Sequence, residues 1–295
     1  MNIENFLVLG AGTLGLRVGL QAAISNYNVT IYDLTDEALN KAQGFQQKIL
    51  KGLAQREIIQ EADIAQIQAR IAMTTSLEEA CKDADFINES VTEDLQIKKE
   101  LWTKVGQLCP EKTIFTTNTS YLLPSMLAED SGRPAKFCAF HFHDVFWANV
   151  VDIMPHPGTD QAVTDMLFDM GKRLNQTPVF VKRESPGYIF NHMLIALIGA
   201  AGNLLTKDVA SVHDVDRSWM GNFKMDMGPF GILDTVGLDT AWHIVKARTD
   251  PKSKAFAEFL KTYVDQGKLG TKTGEGFYKY PNPEFKEKGF ITGAY

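Results

Sequence analysis

Three features of the sequence predict an α/β protein, a doubly wound, mostly parallel sheet followed by an all-helical C-terminal domain. Between residues 6 and 181 short β-like apolar runs alternate with stretches of helical period. The first run feeds a glycine-rich turn, Gly10-Ala11-Gly12-Thr13-Leu14-Gly15. After Ser185-Pro186-Gly187 the alternation stops and long apolar helical stretches take over. Alternating strands and helices build a parallel sheet with helices on both faces.

In chain order, strands are expected at Phe6–Leu9, Val29–Tyr32, Ile71–Thr74, Phe86–Glu89, Thr113–Thr117 and Phe137–His141. Two more are expected near Val150–Met154 and Val179–Val181, flanking a helix from about Asp160 to Leu174. Thr13–Ser25 carries Leu14, Leu16, Val18, Leu20 and Ile24, and Ile97–Leu108 carries Ile97, Leu101, Trp102, Val105 and Leu108. Those spacings gather apolar side chains on one side of a helix. Ser76-Leu77-Glu78-Glu79 reads as a capping box. The domain boundary is placed near 184, giving residues 1–184 and 185–295. Beyond it, helices are expected at Tyr188–Leu205, Val212–Met220, Phe230–Arg248 and Phe256–Gln266, with a strand only in the tail Gly274-Glu275-Gly276-Phe277-Tyr278. Such apolar helices exceed what so small a domain buries alone, so a two-fold homodimer is expected.

The chain has 295 residues, 44% apolar and 22% charged, an ordinary globular composition. Its net charge of −6 argues against nucleic acid or an anionic membrane as the main partner. Cys81, Cys109 and Cys138 lack metal-ligand spacing and read as buried thiols of a reducing compartment, and no metal site is expected. The start of the chain lacks a basic signal-peptide region, and no apolar run approaches the roughly 18 residues a membrane span needs. A cytoplasmic protein acting on a small molecule is expected.

The glycine turn has the context of a dinucleotide fingerprint. A strand precedes it, a helix leaves it, and acidic Asp33 ends the next strand. Gly10 permits the tight turn, Gly12 lets the backbone approach a pyrophosphate, and Gly15 lets helix and strand pack closely. The helix N-terminus, opening at Thr13 and Leu14, presents free amides to phosphate. Asp33 suits the ribose hydroxyls and repels a 2′-phosphate, and Thr35 stands where an arginine would favour NADP. The expected fold is therefore Rossmann-type and the expected cofactor NAD. The plainer alternative makes the glycines ordinary turn residues and Asp33 the cap of the following helix.

A nicotinamide takes only a hydride, so an alcohol's proton needs a base, and neutral histidine suits that role. Among six histidines, His141 ends a strand, where open α/β sheets place ligands. His143 has the same side-chain parity and is the rival, while His192 and His243 lie on helices and suit the surface.

Asn118-Thr119-Ser120, Ala139-Phe140-His141-Phe142 and Ser185-Pro186-Gly187-Tyr188-Ile189-Phe190-Asn191, in this order, resemble the 3-hydroxyacyl-CoA dehydrogenase family. Met227-Gly228-Pro229-Phe230-Gly231-Ile232-Leu233-Asp234 and the ending Gly274-Glu275-Gly276-Phe277-Tyr278-Lys279-Tyr280 resemble it too, so the likeness spans the chain. The resemblance implies an NAD-dependent oxidoreductase of fatty acid metabolism that interconverts 3-hydroxyacyl-CoA and 3-ketoacyl-CoA. It implies His141 as general base and acid, Ser120 on the reacting oxygen, and Asn191 holding the substrate carbonyl or the imidazole. It places Asn118 beside the nicotinamide and Glu89, Ser90, Glu93 and Lys98 along the rest of the cofactor. The family orients its histidine with a glutamate; the nearest carboxylate here is Asp152, shorter and one residue out of register.

The sequence departs from the family where its histidine is followed by Phe-Phe-Asn-Pro. Here Phe142-His143-Asp144-Val145 leads into bulky Phe146-Trp147-Ala148-Asn149. That loop resembles relatives acting on non-CoA compounds, the L-gulonate dehydrogenases and a bacterial diketoreductase. Lys41, Lys48, Lys51, Arg56 and Arg70 suit either CoA phosphates or a solvated helix face. Trp219, Met220, Met225 and Met227 suit either a substrate pocket or packing. Two other readings fit less well. A dehydrogenase using a catalytic lysine lacks this Ser/His/Asn set, and a non-catalytic NAD(H)-binding sensor predicts its loss.

Overall fold

The computed structural model describes residues 3–293. The chain divides into two compact units, the first ending at Ile189 and the second beginning at Phe190.

The first unit holds one eight-stranded sheet. Its first six strands, β1 (Asn5–Leu9), β2 (Asn28–Tyr32), β3 (Ile71–Thr74), β4 (Phe86–Glu89), β5 (Ile114–Thr117) and β6 (Phe137–Phe142), run parallel in the order β3-β2-β1-β4-β5-β6. Next, β7 (Val150–Pro155) pairs antiparallel with β6, and β8 (Thr177–Phe180) pairs parallel with β7. The strand order reverses beside β1, the place where such sheets open a crevice beyond their C-terminal edges. Successive side chains on a strand point to opposite faces, so each face has its own core. Phe6, Val8, Phe86, Phe140 and Phe142 pack on one side with α1 (Thr13–Ile24), α2 (Asp36–Gln55) and, further along, α6 (Gln161–Arg173). Leu7, Leu9, Ile87, Phe115 and Phe137 pack on the other against Trp102 and Val105 of α5 (Leu95–Leu108). Two short helices, α3 (Ile64–Ala69) and α4 (Leu77–Cys81), complete the unit.

The capping box forms only in part. Ser76 Oγ accepts from Glu79 N as expected, but Thr74, not Ser76, engages Glu79: its Oγ1 donates to that carboxylate and accepts from Ser76 N. The eighth strand begins two residues early, at Thr177, and stops at Phe180. All three cysteines are buried and free.

The second unit is helical: α7 (Phe190–Thr206), α8 (Val212–Phe223), α9 (Pro229–Val236), α10 (Leu238–Lys246) and α11 (Pro251–Val264). Phe230, Phe256, Leu260, Tyr278 and Phe290 are its buried centre. The helix expected over Phe230–Arg248 is two helices. Gly237 interrupts it with φ +98°, a conformation only glycine adopts easily. The first helix begins two residues after Tyr188, because Gly187 and Tyr188 both take positive φ.

The tail from Gly274 makes isolated bridges, Gly270 with Glu275 and Glu275 with Lys279, instead of a strand. Its amides go to a side chain: Asp234 accepts from Phe277 N, Tyr278 N and Tyr280 Oη at 2.8, 2.9 and 3.1 Å. Asp216 of α8 serves α9 similarly, accepting from Phe230 N and Gly231 N in its first turn and from Tyr278 Oη. Burial pushes both carboxyls above their ordinary range despite these donors. The expected Trp219–Met227 group is divided: Met220 is core, Met227 lies at its margin, and Trp219 Nε1 donates to Met225 Sδ. No helix among the described residues is long and apolar enough to cross a membrane.

Candidate active site

The glycine turn between β1 and α1 is built for a backbone-bound anion. Gly10 has φ +103°, and a Cβ there would lie 2.7 Å from Ser90 O. A Cβ on Gly15 would stand 2.0 Å from Gly10 O, so the helix closes onto the turn only without one. At Gly12 a Cβ would meet no protein atom within 4 Å, which leaves that face open to a ligand. Gly12 is the N-cap of α1 and no side chain caps the helix. Its first amides are therefore available to phosphate. Asp33 Oδ2 accepts from Ala11 N and its Oδ1 from Leu34 N, both at 2.7 Å, which ties the carboxylate to the turn. The cap of α2 is Thr35, whose Oγ1 accepts from Ala38 N, so Asp33 is not that helix's cap. Gly12, Thr13, Asp33, Lys41, Phe45 and Lys48 line one groove here. Lys41, Lys48, Lys51 and Arg56 are exposed on or beside α2.

The residues after β4 and β5 form a connected polar layer. Asn118 Nδ2 donates to Ser90 Oγ at 2.9 Å, and Asn118 Oδ1 accepts from Phe142 N at 2.8 Å, linking β5 to β6. Glu89 and Lys98 do not line a groove. They are fully buried as an ion pair of 2.5 Å, and Glu89 also accepts from Val91 N and Thr117 Oγ1. Lys98 Nζ reaches Val91 O and lies 3.4 Å from exposed Glu93, whose carboxylate accepts from Thr119 Oγ1. The pair therefore supports the Ser90–Glu93 segment from beneath. Half-buried Ser120 follows Asn118 beyond the end of β5.

At the C-terminal end of β6, His141 and Asp152 are direct partners in the antiparallel ladder. The aspartate is in register, contrary to the reading of the sequence, with Oδ2 3.3 Å from His141 Nδ1. The same oxygen is 3.0 Å from His143 Nε2. Burial, and secondarily His143, lower the His141 pKa against the opposing pull of Asp152. Burial would raise the Asp152 carboxyl, but hydrogen bonds from both imidazoles outweigh it and hold it below its ordinary value. An ionised Asp152 beside a neutral imidazole assigns the ring proton to Nδ1 and leaves Nε2 as acceptor. Asn191 stands on the first turn of α7, in the second unit.

Residues 5–185 match the model of the 3-hydroxyacyl-CoA dehydrogenase NAD-binding domain, and residues 187–280 match the C-terminal domain of the same family. The chain belongs to the 3-hydroxyacyl-CoA dehydrogenase family. It is 33% identical to a probable 3-hydroxyacyl-CoA dehydrogenase of Caenorhabditis elegans, over 94% of this chain and 93% of that one. It is 32% identical to a 3-hydroxybutyryl-CoA dehydrogenase of Clostridioides difficile, over 92% and 98%. Among solved structures it resembles a diketoreductase acting on dicarbonyl compounds (TM-score 0.91, 37% identity, 95% and 100% coverage). It also resembles the (S)-3-hydroxybutyryl-CoA dehydrogenase of Ralstonia eutropha (TM-score 0.84, 28% identity, 95% and 100% coverage). The first unit is thus a Rossmann-type NAD-binding domain, and NAD is the cofactor of this oxidoreductase family member.

Two features of this family member escape a reading of its sequence. Tyr188, in the left-handed region at φ +53°, lays its ring 5.0 Å from that of His141, and its buried hydroxyl has no partner among the described residues. Its place three residues before Asn191 was the available signal. Asp144, where the family pattern has asparagine, forms an ion pair with Arg17 of α1, joining the loop after β6 to the helix that opens at the glycine turn.

Proposed function

We propose that this protein interconverts a 3-hydroxyacyl-CoA and a 3-ketoacyl-CoA, with His141 taking the hydroxyl proton in oxidation and returning it in reduction. The observation that carries this reading is the His141–Asp152 pair at the C-terminal end of β6, beside the strand that leads to Asn118 and Ser120. The chemistry NAD would supply when bound is a hydride acceptor for the carbinol carbon. His141 Nε2 is the acceptor for the alcohol proton, and Asp152 holds the ring by Nδ1 and stabilises the imidazolium. Ser120 hydrogen-bonds the reacting oxygen, and Asn191 keeps the role that the family likeness implies. Gly10, Gly12, Thr13, Leu14 and Gly15 bind the pyrophosphate, Asp33 the ribose, and Ser90, Glu93 and Asn118 the nicotinamide end. Glu89 and Lys98 act from below, by holding that segment in place. A His141→Gln protein should lose turnover while keeping NADH affinity within a few fold; equal loss of cofactor binding would refute the assignment.

A second reading keeps the chemistry and changes the substrate to a 3-hydroxy or 3-keto compound without CoA. The loop after β6 favours it, with Asp144 tied to Arg17 and exposed Trp147 set 5.9 Å from the Arg56 guanidinium. The likeness to the diketoreductase supports it as well. NADH oxidation with acetoacetyl-CoA, beside equal ethyl acetoacetate, separates the two. Fast turnover of the thioester alone supports the CoA substrate; comparable turnover of the ester supports the second reading.

The protein is also proposed to be a homodimer through its helical unit. Only Ile198, Ala201 and Gly202 of apolar α7 are buried, while Phe190, Met193 and Leu204 stay exposed. Sedimentation at a mass of one chain would exclude this.

A further inference from the structure

The face of β6 that carries His141 continues into a second imidazole on the same carboxylate. His143 follows β6 directly, and its backbone N–H extends the ladder to Val150 O at 3.2 Å. Its ring centroid lies 4.9 Å from that of His141. One oxygen, Asp152 Oδ2, faces Nδ1 of the first ring and Nε2 of the second, at 3.3 and 3.0 Å. The family pattern has phenylalanine at the second position, so the arrangement belongs to this chain and not to the family's general plan.

We propose that His143 is a positioning residue that clamps Asp152 Oδ2 between two imidazoles and so governs how readily His141 takes up a proton. The proposal rests on the reading of His141 as the base. An aspartate has a short stem, and a carboxylate held by one ring is free to turn about its last bond. A second donor from the other side fixes its plane, with Oδ2 toward His141. Carboxylate oxygens have lone pairs for two donors, so neither ring excludes the other.

The clamp also couples the two rings. When His141 gains a proton from the alcohol, a cation forms beside a carboxylate already engaged by His143. That carboxylate already shares its charge with a second donor, so His143 opposes proton uptake by His141. The other titratable groups facing His141 are Glu93, from the segment after β4, and the Tyr188 phenol, whose ring packs beside it. Burial pushes the Tyr188 phenol well above its ordinary value. Among the described residues, His143 is the group that opposes protonation of His141 while holding its partner Asp152.

The test compares His143→Phe with His143→Gln, whose amide nitrogen reaches about as far as Nε2. Two readouts are needed on the NADH-loaded protein: the titration of the His141 ring by NMR of 15N-histidine-labelled protein, and kcat against KM with acetoacetyl-CoA or ethyl acetoacetate. In His143→Phe, the His141 titration should move to higher pH and kcat should fall about tenfold, with KM little changed. His143→Gln should restore kcat to within about threefold, since it keeps a donor on Oδ2. An unmoved His141 titration in both variants, or equal kcat in both, overturns the proposal. If the phenylalanine variant fails to fold, the glutamine variant still decides through its NMR titration, which should move upward. A His141→Asn protein that still turns over sinks the reading of His141 itself, and that result is independent of the His143 variants.

Discussion

Asp152 lies directly across the β6–β7 ladder from His141, and its Oδ2 meets the histidine Nδ1 at 3.3 Å. A cross-strand pair of this kind is set by backbone register, so the orientation of the ring is built into the sheet.

Asp152→Asn should therefore preserve the fold and disable the histidine. An amide in place of the carboxylate can donate to Nδ1 and so favour the wrong tautomer, a change worth about 10³–10⁴ in kcat. NADH binding, followed by fluorescence, should stay within a few fold. A drop in kcat below tenfold would show that Asp152 does not orient His141.

The pH profile has a defined sign. Oxidation needs neutral His141, and burial with the neighbouring His143 lowers its pKa below the ordinary 6.5. The oxidative kcat/KM should stay on its plateau as pH falls to 6.5 and decline only beneath it. Reduction, which needs the protonated ring, should gain across the same interval. An oxidative limb centred above 6.5 would contradict the burial argument.

Gly12→Ala and Gly15→Ala should part company. The first adds a methyl that meets no protein atom within 4 Å, so the melting temperature should hold while NADH affinity falls tenfold or more. The second forces a Cβ to 2.0 Å from Gly10 O and should destabilise the fold by about 1–3 kcal/mol as well as weakening the cofactor. Paired thermal melts and NADH titrations distinguish them.

Lys98→Met leaves Glu89 buried without its partner, which should cost about 3–5 kcal/mol in urea unfolding. Adding Glu89→Gln removes the stranded charge and should recover part of that loss. A single variant as stable as the parent would show that the ion pair contributes no support to the segment above it.

Much of the first unit is legible because its signals are local. Phe6–Leu9, Phe86–Glu89 and Phe137–Phe142 are short apolar runs punctuated by turns, and central parallel strands read that way. The glycine turn and Asp33 were visible for the same reason. The register of Asp152 was not, because it depends on the path of residues 143–149. That path places β-branched Val145 at φ +87° and holds its carbonyl to Gln176 Nε2, a bond from 31 residues away. Likewise the family likeness implies that Glu89 and Lys98 line the cofactor, and only the sheet shows that each is the other's buried counter-ion. The tail was read as a strand from its residue types, yet its hydrogen bonds end on Asp234, which no pattern within the tail announces.

That last contact has a consequence for biosynthesis. Asp234 sits in α9, but the donors that satisfy its carboxylate, Phe277, Tyr278 and Tyr280, come from 43 to 46 residues further along. The helical unit thus lacks the partners of a core carboxyl until the ribosome has delivered Tyr280. The NAD-binding domain has every one of its strands in hand by Phe180 and is free to fold while the rest is still being made. Arrival of the segment from Phe277 to Tyr280 is then the event that closes the helical unit, and a message cut short before Phe277 would yield a sound first unit followed by an unfinished second one.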